Sequence, residues 1–203
     1  MPRRYNSRVN DLEHELRRVI RGDVRFDTGS RLLYSTDASM YQVEPVGVVI
    51  PRDADDVQAA LELASRNGVA ILSRGGGTSL TGQTVNHALV LDFSRYMGEI
   101  LEVNREEKWA RVQPGVVQDE LNVHVRPLGL LFGPDTSTSN RATVGGMLGN
   151  NSGGSHSIAW GLTVDHVIEM TVLLSDGSKA VFGEITPEGF EAECRLRTLE
   201  GAI

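Results

Sequence analysis

A single cysteine, Cys194, leaves the chain no internal disulfide and no cysteine-clustered metal site. Lysine is almost as scarce, since Lys108 and Lys179 are the only two among 203 residues. No apolar run approaches the ~20 residues that span a bilayer, and Met1-Pro-Arg-Arg-Tyr5 lacks the apolar segment of a secretory signal. The expected location is therefore the cytoplasm, with no membrane span. Positive charge is also in deficit: 20 basic against 27 acidic side chains give a formal charge of −7, which argues against a nucleic-acid binder held by phosphate neutralisation. Any anion site must be local. His14, His124 and His166 fall in separate elements without the paired spacing of a metal site, so no metal is expected. What the chain has in excess is glycine, 22 of 203 residues against a usual ~7%, so the placement of the glycines becomes the question.

Two clusters hold most of the signal: Ser73-Arg-Gly-Gly-Gly-Thr-Ser-Leu-Thr-Gly-Gln83, and the stretch from Gly133 to Ser155. Around them the chain reads as alternating helix and strand. Asn10 to Arg21 carries Leu12, Leu16, Val19 and Ile20 at helical spacing, with Gly22 as the stop. Arg25 to Glu44 is polar and irregular. Val46 to Ile50 reads as a buried strand, and Asp53 or Asp55 caps a helix with Val57, Ala60, Leu61 and Ala64 on one face and Gly68 at its end. Val69 to Leu72 follows as a second strand, predicting a βαβ unit whose strands pair in parallel. Ala88 to Asp92 is a third strand, and Ile100 to Val103 with Ala110 to Val112 form a pair joined by the charged turn Asn104 to Lys108. A helix runs through Val117, Leu121 and Val125. Val167 to Leu174 and Ala180 to Phe182 form a hairpin about Asp176-Gly177, and a further helix begins at Pro187.

Three consecutive glycines after a strand exceed what a turn requires, and close backbone approach is the physical reason for them. Without Cβ atoms, amide N–H groups can converge on a phosphate or pyrophosphate; Thr78, Ser79 and Thr81 add hydroxyls and Arg74 a fixed charge. A bare, ligand-free turn is the alternative. The nucleoside-triphosphatase loop is excluded because no lysine lies in the cluster, and the dinucleotide fingerprint Gly-x-Gly-x-x-Gly fails on spacing. The second cluster places small residues and amide side chains in two successive tight segments, Thr143-Val-Gly-Gly-Met-Leu148 and Gly149-Asn-Asn-Ser-Gly-Gly154. A flat ring could lie between them, or the stretch could be a self-packed Ω segment.

The ordered set Pro51-Arg-Asp-Ala-Asp-Asp-Val57, Arg74 to Gly82, Gly133-Pro-Asp135, Ala142-Thr-Val-Gly-Gly146, Asn150-Asn-Ser-Gly-Gly154, Trp160-Gly161 and Ser175-Asp-Gly177 resembles the para-cresol methylhydroxylase type FAD-binding domain. Within that family it is most similar to the FAD-linked D-2-hydroxy-acid dehydrogenases of glycolate, D-lactate and D-2-hydroxyglutarate. The resemblance covers roughly residues 30 to 185. It implies an α+β fold of two lobes, a small parallel α/β lobe followed by a mainly antiparallel α+β lobe, with FAD between them. The corresponding division is a lead-in over 1–43 and an FAD-binding domain over 44–203, its lobes meeting near residue 95.

Carried over by position, the resemblance implies that Arg74, Gly75, Gly76, Gly77, Thr78, Ser79, Thr81 and Gly82 cradle the pyrophosphate. Pro134, Asp135, Ser137, Thr143, Gly145 and Gly146 would line the middle of the cofactor, Asn150, Ser152, Gly153 and Gly154 would approach the ribityl chain or isoalloxazine, and Gly161 would complete the wall. Trp160 stands where many relatives carry tyrosine. Residues 73–83 contain no histidine, so FAD is expected to be noncovalent; His87 lies beyond the loop, and His156 reads as a loop histidine bonded to backbone. The same resemblance implies a small-molecule 2-hydroxy-acid substrate, an electron acceptor it does not identify, and a C-terminal substrate domain of the same polypeptide that supplies the catalytic residues. None is assigned within this chain, which reads as the N-terminal flavin module of an oxidoreductase. Another flavin oxidase or reductase on the same module, or a non-catalytic nucleotide-binding domain, are the alternative readings.

Overall fold

The computed structural model describes residues 2–202, with side chains from Val9 onward. The arginine-rich start, interleaved with Glu13 and Glu15, reads in the sequence as a solvated helix face; the side chains of Arg3, Arg4 and Arg8 lie outside the described residues. The chain divides into two compact units, Met1–His166 and Val167–Ile203. Among the described residues no helix is long and apolar enough to cross a membrane.

The first unit is built on a four-stranded sheet. Helix α1 (Pro2–Val19) leads into strand β1 (Asp23–Arg25), the short helix α2 (Thr28–Leu33) and strand β2 (Gly47–Ile50). Helix α3 (Ala54–Asn67) connects to β3 (Ile71–Arg74), and β4 (Leu89–Asp92) follows the first glycine cluster. The sheet order is β1-β2-β4-β3, with β1 antiparallel and the other three parallel. The βαβ unit thus exists, but its two strands are not neighbours, as the sequence led us to expect. β4 lies between them because all four of its residues are buried, whereas β3 carries only partly buried or exposed residues and suits an edge. Residues 25–44, read as irregular, hold α2, and β1 lies at their start over Asp23–Arg25; both are too short and too polar to show a period.

Both faces of this sheet are covered. Val49, Leu89 and Leu91 face Leu12, Leu16, Ala60, Leu63 and Ala64 from α1 and α3, while Val48, Ile50 and Val90 face Tyr34, Leu72 and Tyr96. The alternation along β2 and β4 follows from the two-residue strand period. Asp53 caps α3 by accepting from the amides of Asp55 and Asp56 at 3.1 and 3.2 Å, and Gly68 ends it at φ 66°.

Beyond the sheet, β5 (Ile100–Asn104) and β6 (Trp109–Val112) form an antiparallel hairpin. Its turn is held by Asn104 Oδ1, which accepts from the amides of Glu106 and Glu107. Helix α4 (Gln118–Val125) lays Leu121 and Val125 against that hairpin around Val116. The second glycine cluster carries α5 (Val144–Asn150) and α6 (Ser157–Trp160). The second unit consists of β7 (Glu169–Leu173) and β8 (Lys179–Gly183), paired antiparallel, and helix α7 (Pro187–Glu193). Its hairpin turns at Asp176-Gly177 as the sequence indicates, with Asp176 Oδ1 accepting from the Ser178 amide at 2.9 Å.

Of the three aspartates at the start of α3, Asp56 does more than complement the helix dipole. It is 2% exposed and accepts from the amides of Arg21, Gly22 and Arg52, each at 2.9 Å. One carboxylate thus ties the exit of α1 to the exit of β2. Asp56→Ala would leave three part-buried donors without an acceptor and should lower stability by about 3 kcal/mol, whereas Asp55→Ala, on a side chain 91% exposed, should stay within about 0.5 kcal/mol. Urea denaturation of both variants checks the contrast.

Candidate functional site

The parallel strands β3 and β4 end side by side, with Arg74 in register with Asp92. A crevice at the carboxyl ends of parallel strands is where open α/β sheets bind ligands. Here a cleft of about 370 Å³ opens, lined by Arg74, Gly75 and Gly76 from the first cluster, Asn140, Arg141 and Thr143 from the second, and Tyr34, Asp92 and Ser94 beside them.

The lead-in before β2 frames the first glycine loop. The Arg74 guanidinium donates to the carbonyls of Thr36 at 2.8 Å, Thr84 at 3.1 Å and Tyr34 at 3.4 Å, and lies 5.2 Å over the Tyr34 ring. The Ala38 amide donates to the Gly77 carbonyl at 3.0 Å, and Tyr41 packs where a Cβ on Gly82 would fall. Asp37 accepts from the Ser39 amide and from the Thr84 hydroxyl, both at 2.8 Å. Burial opposes ionisation of Asp37, yet these donors outweigh it and hold its carboxyl below the usual value. In the cleft wall, Tyr34 Oη donates to Asp92 Oδ2 at 2.5 Å. Burial, reinforced by that carboxylate, pushes the Tyr34 phenol well above its ordinary range, so it remains a donor.

The glycines of the loop are required by contact with the second cluster. A Cβ on Gly75 would sit 2.0 Å from Thr143 Oγ1, and one on Gly76 would sit 2.3 Å from the Arg141 carbonyl oxygen. Gly77 adopts φ 64°, in the left-handed region. Among the described residues no acceptor takes the N–H groups of Gly75, Gly76, Gly77 or Thr78. The loop's far side is polar: Ser79 and Thr81 bond the Gln83 side chain, whose Nε2 donates to Asn150 Oδ1 at 3.2 Å. The two glycine clusters, 67 residues apart at that contact, are therefore joined at both ends.

Within the second cluster, the stretch read as a tight segment is the helix α5. Thr143 caps it by accepting from the Gly146 amide at 3.3 Å, and a Cβ on Gly145 would press 2.8 Å from Pro114 Cβ. Gln118, 2% exposed, donates to the Pro134 carbonyl and accepts from the Thr136 hydroxyl at 2.7 Å, fixing the Gly133–Thr136 strip; Ser137 follows it, exposed. Asp135 then joins this strip to the Gly153–Gly154 turn. Its carboxylate accepts from the Ser155 hydroxyl at 3.1 Å and from the His156 amide at 3.2 Å, and it pairs with His156 Nδ1 at 2.5 Å. The His156 ring stacks on Trp160 with centroids 4.5 Å apart, so this histidine is bonded to a carboxylate and an indole as well as through its backbone. The Ser152 carbonyl accepts from the Thr163 amide and hydroxyl, and Gly161 turns at φ 79° against Asp165.

Of the residues singled out from the sequence, Arg74, Gly75, Gly76 and Thr143 line the cleft directly. Gly77 to Gly82 form the loop's outer rim, and Pro134, Asp135, Gly153 and Gly154 gather about the Asp135 carboxylate. Tyr34, Asp37, Asp92, Gln118 and Arg141 were not singled out. Gln118 falls at the start of the helix read through Val117 and Leu121, and Asp92 ends the strand read over Ala88 to Asp92; Tyr34, Asp37 and Arg141 lie in segments with no period.

A family model described as FAD binding domain matches residues 45–182. The chain belongs to the FAD-binding-domain family. It is 42% identical over 177 residues to D-2-hydroxyglutarate dehydrogenase of Pseudomonas putida, covering 86% of this chain and 18% of that protein. Against the glycolate oxidase subunit GlcD of Bacillus subtilis it is 38% identical over 174 residues, covering 83% and 37%. The chain thus spans under a fifth of the length of the dehydrogenase and just over a third of the oxidase subunit. Among solved structures, an alkyldihydroxyacetonephosphate synthase superposes with a TM-score of 0.76 at 22% identity, covering 87% of this chain and 35% of that one. p-Cresol methylhydroxylase superposes at 0.73 with 16% identity, covering 87% and 36%; both share the fold.

Two outcomes are expected. Gly76→Ala should destabilise the ligand-free protein by about 2 kcal/mol, because the added methyl strikes the Arg141 carbonyl. Gly149→Ala, in α5 with nothing within 4 Å of the added Cβ, should be neutral or stabilising by up to about 0.5 kcal/mol; thermal unfolding of the pair separates contact from propensity. The hydrogen bond to His156, followed by its backbone amide and Ser155, holds the Asp135 carboxyl below its usual 3.8. A depressed folded value means that its bonds contribute above 3.8 and are lost as pH falls through the lower folded value. Hydrogen-exchange protection of the His156 amide should hold from neutral pH down to about that point, and Asp135→Ala should abolish it throughout.

Proposed function

We propose that this chain is the FAD-binding module of a flavin-dependent oxidoreductase that oxidises a 2-hydroxy acid, with D-2-hydroxyglutarate favoured over glycolate and D-lactate. The observation that carries the reading is the cleft between two glycine clusters in direct contact, flanked by four amides that find no acceptor among the described residues. An anionic, extended cofactor suits that arrangement, because its charge can take the open N–H groups while its length follows the seam between the clusters. The identity of 42% to a D-2-hydroxyglutarate dehydrogenase supports the choice of substrate.

In this reading Gly75 to Gly82 hold the pyrophosphate through backbone amides and the hydroxyls of Thr78, Ser79 and Thr81. Thr143, Gly145 and Gly146 shape the middle of the site, with Pro134, Asp135 and Ser137 on the adjoining strip. Asn150, Ser152, Gly153 and Gly154 lie toward the ring, and Gly161 closes the wall. FAD, when bound, supplies the hydride acceptor for the α-carbon of the hydroxy acid. The protein's part is to fix backbone donors around it and to exclude water from the seam. The base that takes the hydroxyl proton and the groups that hold the substrate carboxylate lie in a further domain of the same polypeptide. Residues 1–43 serve as the lead-in and 44–203 as the flavin domain, with its lobes dividing near residue 95, in the cytoplasm.

Attachment is noncovalent, since residues 73–83 carry neither histidine nor cysteine. The purified chain should bind FAD more tightly than FMN, and acid precipitation should leave a colourless pellet with the flavin in solution. Loaded with FAD, residues 1–203 alone should show no dye reduction above background with D-2-hydroxyglutarate, D-lactate or glycolate. Robust turnover by the chain alone would overturn the division of labour, and a preference for FMN would overturn the cofactor.

A further inference from the structure

The two arginines that line the cleft have different circumstances. Arg74 is committed to the protein: its guanidinium donates to three backbone carbonyls and covers the Tyr34 ring. Moving it onto a ligand would break those bonds and release the lead-in from the loop. Arg141 is exposed, and its guanidinium pairs with no side chain or carbonyl among the described residues. Its backbone is fixed, however, with its amide donating to the Thr138 carbonyl at 2.8 Å and its own carbonyl against Gly76. A free cation on an anchored backbone therefore stands at the mouth of the cleft that Gly75 and Gly76 line. The carboxylate in that wall, Asp92, does not compete for it. Asp92 is 7% exposed and accepts from the Tyr34 hydroxyl and from the amide and hydroxyl of Ser94.

We propose that Arg141 supplies the positive charge for a phosphoanhydride seated on the open amides, and that Arg74 is a positioning residue that frames the loop. The proposal rests on the flavin reading above and assigns a side chain within it. In a chain of formal charge −7, a ligand bearing two phosphates meets a repulsive field unless a cation is close at hand. Backbone amides alone orient such a group but do not offset that field. Arg141 can do so with a planar fork suited to phosphate oxygens.

The experiment is calorimetric titration of the 203-residue chain with FAD and, separately, with inorganic pyrophosphate, over a series of sodium chloride concentrations. Arg141→Gln should weaken FAD binding at least tenfold at low salt and flatten its salt dependence, because the screened pair is gone. It should leave the melting temperature of the ligand-free protein unchanged, and Arg141→Lys should recover part of the affinity. Arg74→Lys should instead lower that melting temperature and retain the wild-type salt dependence. Unchanged affinity and salt slope in Arg141→Gln overturn the assignment while leaving the flavin reading intact. So does loss of the salt slope in Arg74→Lys without a fall in melting temperature. Wild-type protein that binds pyrophosphate but not FAD, with the Arg141 effect present, keeps the anion site and overturns the flavin reading. Binding of neither overturns both.

Discussion

Two stretches of backbone meet at Gly75, Gly76, Arg141 and Thr143 with no room for a side chain between them, and the remaining features of the site depend on that contact. Because a Cβ on either glycine would collide with the opposite strip, the first cluster can lie on the second only as glycine. The contact brings the end of a parallel strand to a segment more than 60 residues further along the chain. It leaves the N–H edge of the loop without an acceptor among the described residues. Ordinary packing would fill such a seam with apolar side chains; here the seam has a polar, backbone-lined edge, the form that a ligand with phosphate oxygens requires.

A loop of three glycines has no stiffness of its own, since each residue has a wide choice of φ and ψ. The structure supplies the stiffness from outside. Arg74 pins the lead-in carbonyls of Tyr34 and Thr36, the Ala38 amide pins Gly77, and Asp37 reaches across to Thr84. On the other side Gln118 and Asp135 do the same for the Gly133–Asp135 strip and the Gly153–Gly154 turn. Both loops are thus held by polar side chains whose partners are backbone groups and neighbouring hydroxyls. Such arrangements are specific, because removing one partner leaves several donors or acceptors without compensation.

The same logic separates the charges. An acidic chain gains solubility but repels anionic ligands, so positive charge has to be placed locally. One arginine at the cleft is absorbed into the scaffold and the other is left open, a division of roles between residues of the same type that lie in two different glycine clusters. His156 is likewise bound into the scaffold by Asp135 and Trp160. The site as built offers fixed donors and a shaped seam, in a chain of the FAD-binding-domain family.

Elements with a strong local period or a strong local stop can be read from the residues alone. Helix α3 was legible from Asp53, Gly68 and its apolar face, β2 from its β-branched run, β4 from its short apolar run, and the β7–β8 hairpin from Asp176-Gly177. The ordered glycine motifs made the family legible too, because close backbone approach can be met only by glycine and so leaves a mark in the residues themselves. Tertiary structure alone decided the rest. β4 entered between β2 and β3 because burial along a whole strand is settled by what covers both its faces. The short elements β1, α2 and α5 exist because tertiary contacts outweigh weak propensity; the Gly145 and Gly146 pair disfavours a helix locally, and packing on Pro114 and the Thr143 cap restore it. Nor could the sequence say which arginine was free. The sequence points to Arg74 as the charge of the first cluster and gives Arg141 no part; only the carbonyls gathered around Arg74, from residues up to 40 positions away, separate its guanidinium from that of Arg141, which has no partner among the described residues.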